Sequence, residues 1–165
     1  MIELKPISKE GIPNALKKIE RYRLLNEPAE AESICRDILE VDPDNQEALI
    51  MFILTLTDQF NKGVTGREAY ALVPRIKDGF KREYYRGIVR ERQAKAALER
   101  GIPGSKFDAY EWLEDAMEAF EKADKLSDPD NDDAILRWNT CARIVNKFNL
   151  TPRPPEERSL HLPLE

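Results

Sequence analysis

AESICRDILEVDPDNQEAL, residues 31–49, decides how this chain reads, because the pattern returns at residues 116–135 as AMEAFEKADKLSDPDNDDAI. In both copies a small residue (Ala31, Ala116) is followed four positions on by a larger apolar one (Cys35, Phe120) and three further on by another (Ile38, Ala123). That spacing puts all three on one face of a helix. An acidic turn follows, Pro43-Asp44-Asn45 in the first copy and Pro129-Asp130-Asn131 in the second, and then a new apolar run begins. A helix end, a tight turn and a helix start, repeated, are the mark of stacked helical hairpins. Such a stack offers a surface to another molecule, so the pattern points to a binding protein and leaves its partner unnamed.

Outward from these turns, prolines and glycines mark where helices start and stop. Pro13, Pro28 and Pro43-Asp44-Asn45 sit at three starts, since proline is tolerated in a first turn and Asp or Asn can cap it. The predicted helices are 13–25, 28–41, 45–61, 66–77, 80–100, 105–126 and 132–148, seven in all. Helix 45–61 carries Leu49, Phe52, Ile53, Leu56 and Phe60 at helical spacing and is the expected centre of the core. Thr65 and Glu68 read as a capping box, Pro74 should kink or shorten helix 66–77, and Gly101 with Pro103 closes helix 80–100. Ser105 is expected to open the next helix with Asp108 as its acidic partner. In the last helix Ile135, Trp138, Ala142 and Val145 form the predicted apolar stripe, flanked by Cys141, Ile144 and Phe148. The fold class is therefore all-α, one domain over residues 1–150, followed by a proline-rich tail at 151–165 that should not be helical.

Composition agrees. With 165 residues, 41% hydrophobic and 35% charged, the chain can bury a core, is too apolar for disorder and too charged for a membrane protein. The opening residues show no basic cluster followed by an apolar stretch, and the longest unbroken apolar run, 48–54, falls far short of a bilayer span. Cys35 and Cys141 each sit among apolar neighbours and read as small buried hydrophobes in a reducing compartment, with a disulfide or redox role as the alternative. A cytoplasmic protein without contact to membranes is expected.

On these residues the chain resembles the tetratricopeptide repeat family, whose unit of about 34 residues is a helical hairpin with aromatic, small and proline landmarks. Tyr22, Ala31, Cys35, Ile38 and Pro43 match the landmarks of a first unit, and Ala116, Phe120 and Ala123 those of a later second helix, with Pro129 displaced by one residue. A degenerate unit with first helix 46–61 lies between, and the opening Trp and Leu-Gly landmarks are absent, Ala15, Lys18 and Ile19 standing there. The resemblance implies a right-handed superhelix whose first helices line a concave groove that binds a peptide or helix of a partner protein. The groove residues it implies are Glu20 and Arg23, Leu54 and Asp58, Tyr84, Ile88 and Glu91, and Arg137, Thr140 and Arg143. Only Arg137, Asn139 and Arg143 resemble the basic and amide set with which some members grip a C-terminal carboxylate, and these two arginines read equally as solvated. The competing reading is a structural subunit of a homo-oligomer or larger complex.

Charge is uneven along the chain, which carries a net charge of -5 overall. Residues 75–100 hold nine Lys or Arg against four Asp or Glu, with Tyr84 and Tyr85 interleaved, whereas residues 108–133 are strongly acidic. A basic aromatic helix can grip phosphates, but an acidic helix following it across a short turn is expected to neutralise it along the pair, which makes nucleic acid a poor partner; an acidic protein remains open. Catalytic patterns are missing: His161, the single histidine, stands in the tail, no glycine-rich phosphate loop is complete, and no cofactor or metal is implied. In the tail, Leu160, Leu162 and Leu164 alternate with polar residues and are expected to cover the face of helix 132–148, in the same chain or in a neighbour that becomes a dimer partner, or else to fray.

Overall fold

The computed structural model describes residues 1–158. Its elements are α1 (Ile12–Leu24), α2 (Pro28–Val41), α3 (Gln46–Thr57), α4 (Arg67–Leu72), α5 (Gly79–Arg100), α6 (Ser105–Asp124), α7 (Asp133–Phe148) and the short α8 (Pro155–Arg158). No strand occurs among the described residues. The chain is an all-α stack in which α1 packs on α2, α2 on α3, α3 on α4, α5 on α6 and α6 on α7, while α1–α3 and α3–α5 contacts tie successive hairpins together.

Local chemistry sets most boundaries. Pro28 opens α2 in its first turn. Asn45 caps α3 by accepting from the Ala48 amide at 2.9 Å, and its own amide donates to Asp42 at 3.0 Å, which is why the first acidic turn is rigid. In the second turn the extra residue moves Asn131 outside the cap position, where it accepts from the Asp133 amide at 3.0 Å, and Asp132 becomes the cap without a side-chain bond. Asp78 caps α5 through the Lys81 amide at 2.8 Å, and Gly101 ends it at φ +61°, the left-handed turn that glycine adopts without strain.

Several expectations are corrected. Helix α3 stops at Thr57 instead of 61, and a 3-10 turn, Phe60–Lys62, carries Phe60 into the core. The Thr65–Glu68 capping box does not form: Gly66 holds the cap position of α4 without a side-chain bond, the Gln93 side chain lies against it, and Glu68 turns to Arg36 instead. Gly104 caps α6, Ser105 is buried as its first residue, and Asp108 is engaged by Arg153. Pro74 shortens its helix as expected: α4 ends at Leu72 and Val73–Arg75 is a 3-10 turn. On α7 the inward face is Ala134 and Cys141, fully buried, and Ile135 is 42% exposed, so the predicted stripe is rotated.

Two hydrophobic cores share α5. The first gathers Ile19, Ile38, Leu49, Ile53, Leu56 and Phe60 from α1 to the turn after α3; the second is built on Leu113, Phe120 and a run of alanines in α5, α6 and α7. Helix α5 presents Val89 and Ala96 to the first and Ile88, Ala94 and Ala97 to the second. Gly87 allows α5 to approach α6, since a Cβ at that position would lie 2.5 Å from the Phe120 ring.

The tail begins as part of the fold. Leu150 is buried, and Arg153, 5% exposed, pairs with Asp108 at 2.5 Å and Glu111 at 3.4 Å and lies over the Phe107 ring. Pro155–Arg158 then makes a helical turn where none was expected. Leu160, Leu162 and Leu164 lie outside the described residues.

Candidate functional site

Helices α1, α3, α5 and α7 share one face of the stack, and it is crossed by two charge networks. In the first, Asp58 at the C-terminal end of α3 receives Arg23 of α1 as a fork, Nε at 2.7 Å and Nη2 at 3.3 Å. Arg92 of α5 donates to the same carboxylate at 2.6 Å and to the Thr57 hydroxyl at 2.9 Å, and that hydroxyl donates to the Leu54 carbonyl at 2.7 Å. Arg23 and Asp58 lie 35 residues apart and Asp58 and Arg92 lie 34 apart, and side chains from three helices meet at one carboxylate. The side chains of Arg23, Asp58 and Arg92 are 21%, 23% and 31% exposed, which leaves all three reachable by water.

In the second network Glu91 is fully buried. Arg137 of α7 donates to its Oε2, Lys95 donates to the same oxygen at 3.1 Å, and the Cys141 thiol donates to Oε1 at 3.5 Å. Burial, then the charge of Glu91, pushes the Cys141 thiol well above its ordinary range. Between the networks stand Tyr84 and Tyr85, both half-buried, their rings edge to face at 5.2 Å; Tyr84 also stacks on Phe80 at 5.6 Å. Burial pushes both hydroxyls up. At Tyr84 the charge of Arg137 opposes this, and at Tyr85 that of Arg23 does, with Asp133 adding to the rise. Charges on both α1 and α7 thus act on one tyrosine of α5.

Of the ten residues selected from sequence, the structure joins Arg23 to Asp58 and Glu91 to Arg137, and places Tyr84 beside them. Glu20 is exposed and lines a cleft with Arg23, Leu24, Asn26, Pro28 and Asp58. Leu54 is half-buried against the second core. Ile88, 5% exposed, belongs to that core and is not a lining residue. The Thr140 hydroxyl folds back onto the Leu136 carbonyl at 3.0 Å, and Arg143 is exposed. Glu91 is likewise no contact point, because its carboxylate is wholly buried.

Sequence reasoning missed Arg92, Tyr85 and Lys95. The signal for Arg92 was in the spacing: it stands 34 residues beyond Asp58, as Asp58 stands 35 beyond Arg23. The expected neutralisation of α5 by α6 is met in part. Arg90–Asp115 at 3.7 Å crosses between them, but Arg92 turns to α3, Arg86 to Glu83 of its own helix, and Arg82 to the carbonyls of Ile76 and Lys77. The two helices meet through alanines and Phe120.

Among the described residues no group of three or more His, Cys, Asp or Glu is placed to hold a metal ion, and no helix is long and apolar enough to cross a membrane. Fold and face together define an all-α helical stack with a polar and aromatic surface across its odd-numbered helices. Compared with protein-family models, curated proteins and solved structures, the chain has no match in any of the three.

Proposed function

We propose that this chain is a tetratricopeptide-like interaction module of the cytoplasm that takes a peptide or helix of a partner protein along the face of α1, α3, α5 and α7. The observation that carries the reading is the meeting of Arg23, Asp58 and Arg92 at spacings of 35 and 34 residues, the length of one such repeat, beside the Tyr84–Tyr85 pair. Tyrosine and arginine dominate binding energy at protein interfaces, because each combines a large contact area with directed hydrogen bonds. The carboxylates here are taken up by guanidinium and ammonium groups, an arrangement suited to fixing a surface more than to moving protons. Free, buried Cys35 and Cys141 fit a reducing compartment.

The test places a photo-crosslinking residue at Leu24 or Arg143, both exposed near this face, and as control at Lys122 on α6. Crosslinks to the same protein from the first two sites and none from the third are expected. Capture from Lys122 alone would move the site to the opposite surface.

A further inference from the structure

Residues 1–7 run without turn or bend ahead of the first helical turn, and none of their backbone groups makes a hydrogen bond. Ile7 packs against the first core, but Ile2 is 93% exposed and Leu4 88%. A straight segment with open backbone edges and bare apolar side chains is a template for another strand. Beside it lies a cleft lined by Leu4, Lys5 and Pro6 of the arm and by Leu39 among the charged Arg36, Glu40, Glu68 and Arg75, with Phe52 and Leu72 buried and Arg36 lying over the Phe52 ring.

We propose that this arm pairs antiparallel with the same arm of a second copy, each arm entering the cleft of the other. The sequence of the arm fits itself in one register. With Leu4 opposite Leu4, Glu3 of each copy faces Lys5 of the other, twice, and Ile2 faces Pro6. A parallel pairing would set Glu3 against Glu3 and Lys5 against Lys5. In an antiparallel ladder, residues alternate between those that exchange hydrogen bonds with the partner strand and those that do not. If Glu3 and Lys5 form the bonded pair, the even positions turn their backbone groups away, and Pro6, which has no N–H to give, falls at a position that needs none. A bare two-stranded ribbon is marginal in water, so the cleft contributes by receiving Ile2 and Leu4 of the second copy beside Leu39 and the aliphatic stems of Arg36 and Arg75. This surface is separate from the face of the odd-numbered helices.

The experiment is sedimentation equilibrium of the full chain over a range of concentration, with helix content followed by circular dichroism. The intact chain should dimerise. Lys5→Glu sets like charges opposite each other twice and should weaken the dimer about tenfold, and adding Glu3→Lys should restore it. Leu4→Asp should weaken it without rescue. Residues 1–6 are exposed, so all variants keep the fold. A monomer at every concentration overturns the proposal, as does a dimer indifferent to Lys5→Glu or one that the double exchange fails to recover.

Discussion

Asp58 and Glu91 are both carboxylates held by two cations on the same side of the molecule, yet they do different work. Asp58 sits at a helix end, 23% exposed, and its two arginines keep contact with water. Glu91 sits in mid-helix with no exposure, and its hydrogen bonds to Arg137, Lys95 and Cys141 replace a solvent shell it has lost entirely. Charge pattern alone does not separate a surface from a strut; depth does. A half-exposed network can trade its bonds for those of a ligand at small cost, whereas a buried one is committed to holding helices together.

The largest effect should come from breaking the buried network on one side. Arg137→Ala leaves Glu91 buried with only the partly exposed Lys95 as a counter-charge, and should cost about 3 kcal/mol in urea unfolding. Glu91→Met combined with Arg137→Met, apolar at both positions, should stay within about 1 kcal/mol of the parent, because neither charge is left buried without its partner. Equal losses in the two variants would mean that the ion pair itself stabilises, and the contrast with Asp58 would collapse.

Asp58→Ala should cost less, about 1 kcal/mol, since Arg23 and Arg92 remain hydrated once the carboxylate is gone. The difference from the parent should shrink with added salt. A loss matching that of Arg137→Ala would place this network among the struts and weaken the case for it as a binding surface.

The smallest effect is alkaline. Burial pushes the Cys35 thiol up to about 12 and that of Cys141 higher still, Glu91 adding to the latter. The folded chain therefore keeps protons that the unfolded chain releases above about pH 8.5, so stability should be flat through neutral pH and fall as the solution becomes more alkaline. Alkylation followed by mass spectrometry should find both thiols inert at pH 8 until urea unfolds the chain. Rapid labelling of Cys141 alone would mean that the Glu91 network opens locally, contrary to its role here.

The legible parts of this fold were local. Pro28, Asn45 and Gly101 act on neighbours within a few residues, so the helices they bound were readable from the order of residues. Where reading failed, the decision came from far along the chain. Ile135 looked as apolar as Ala134 and Cys141, but it is the latter two that pack into the second core, while Ile135 faces out. Thr65 had the right spacing to cap α4, but α4 begins one residue later, at Arg67, with Gly66 at the cap and Gln93 of another helix packed against it. Asp108 is the helix-start acid that was expected, in the first turn of α6, but its pairing with Arg153 of the tail could not be read.

The sequence by itself determined the all-α class, the seven principal helices and the recurrence that stacks them, because hydrophobic periodicity and turn chemistry act over one or two helical turns. Only the tertiary structure decided which charges became a surface and which a strut. Arg23, Asp58 and Arg92, and Glu91 with Arg137, are joined across helices by packing, and the depth at which each pair comes to rest is set by side chains of the whole stack.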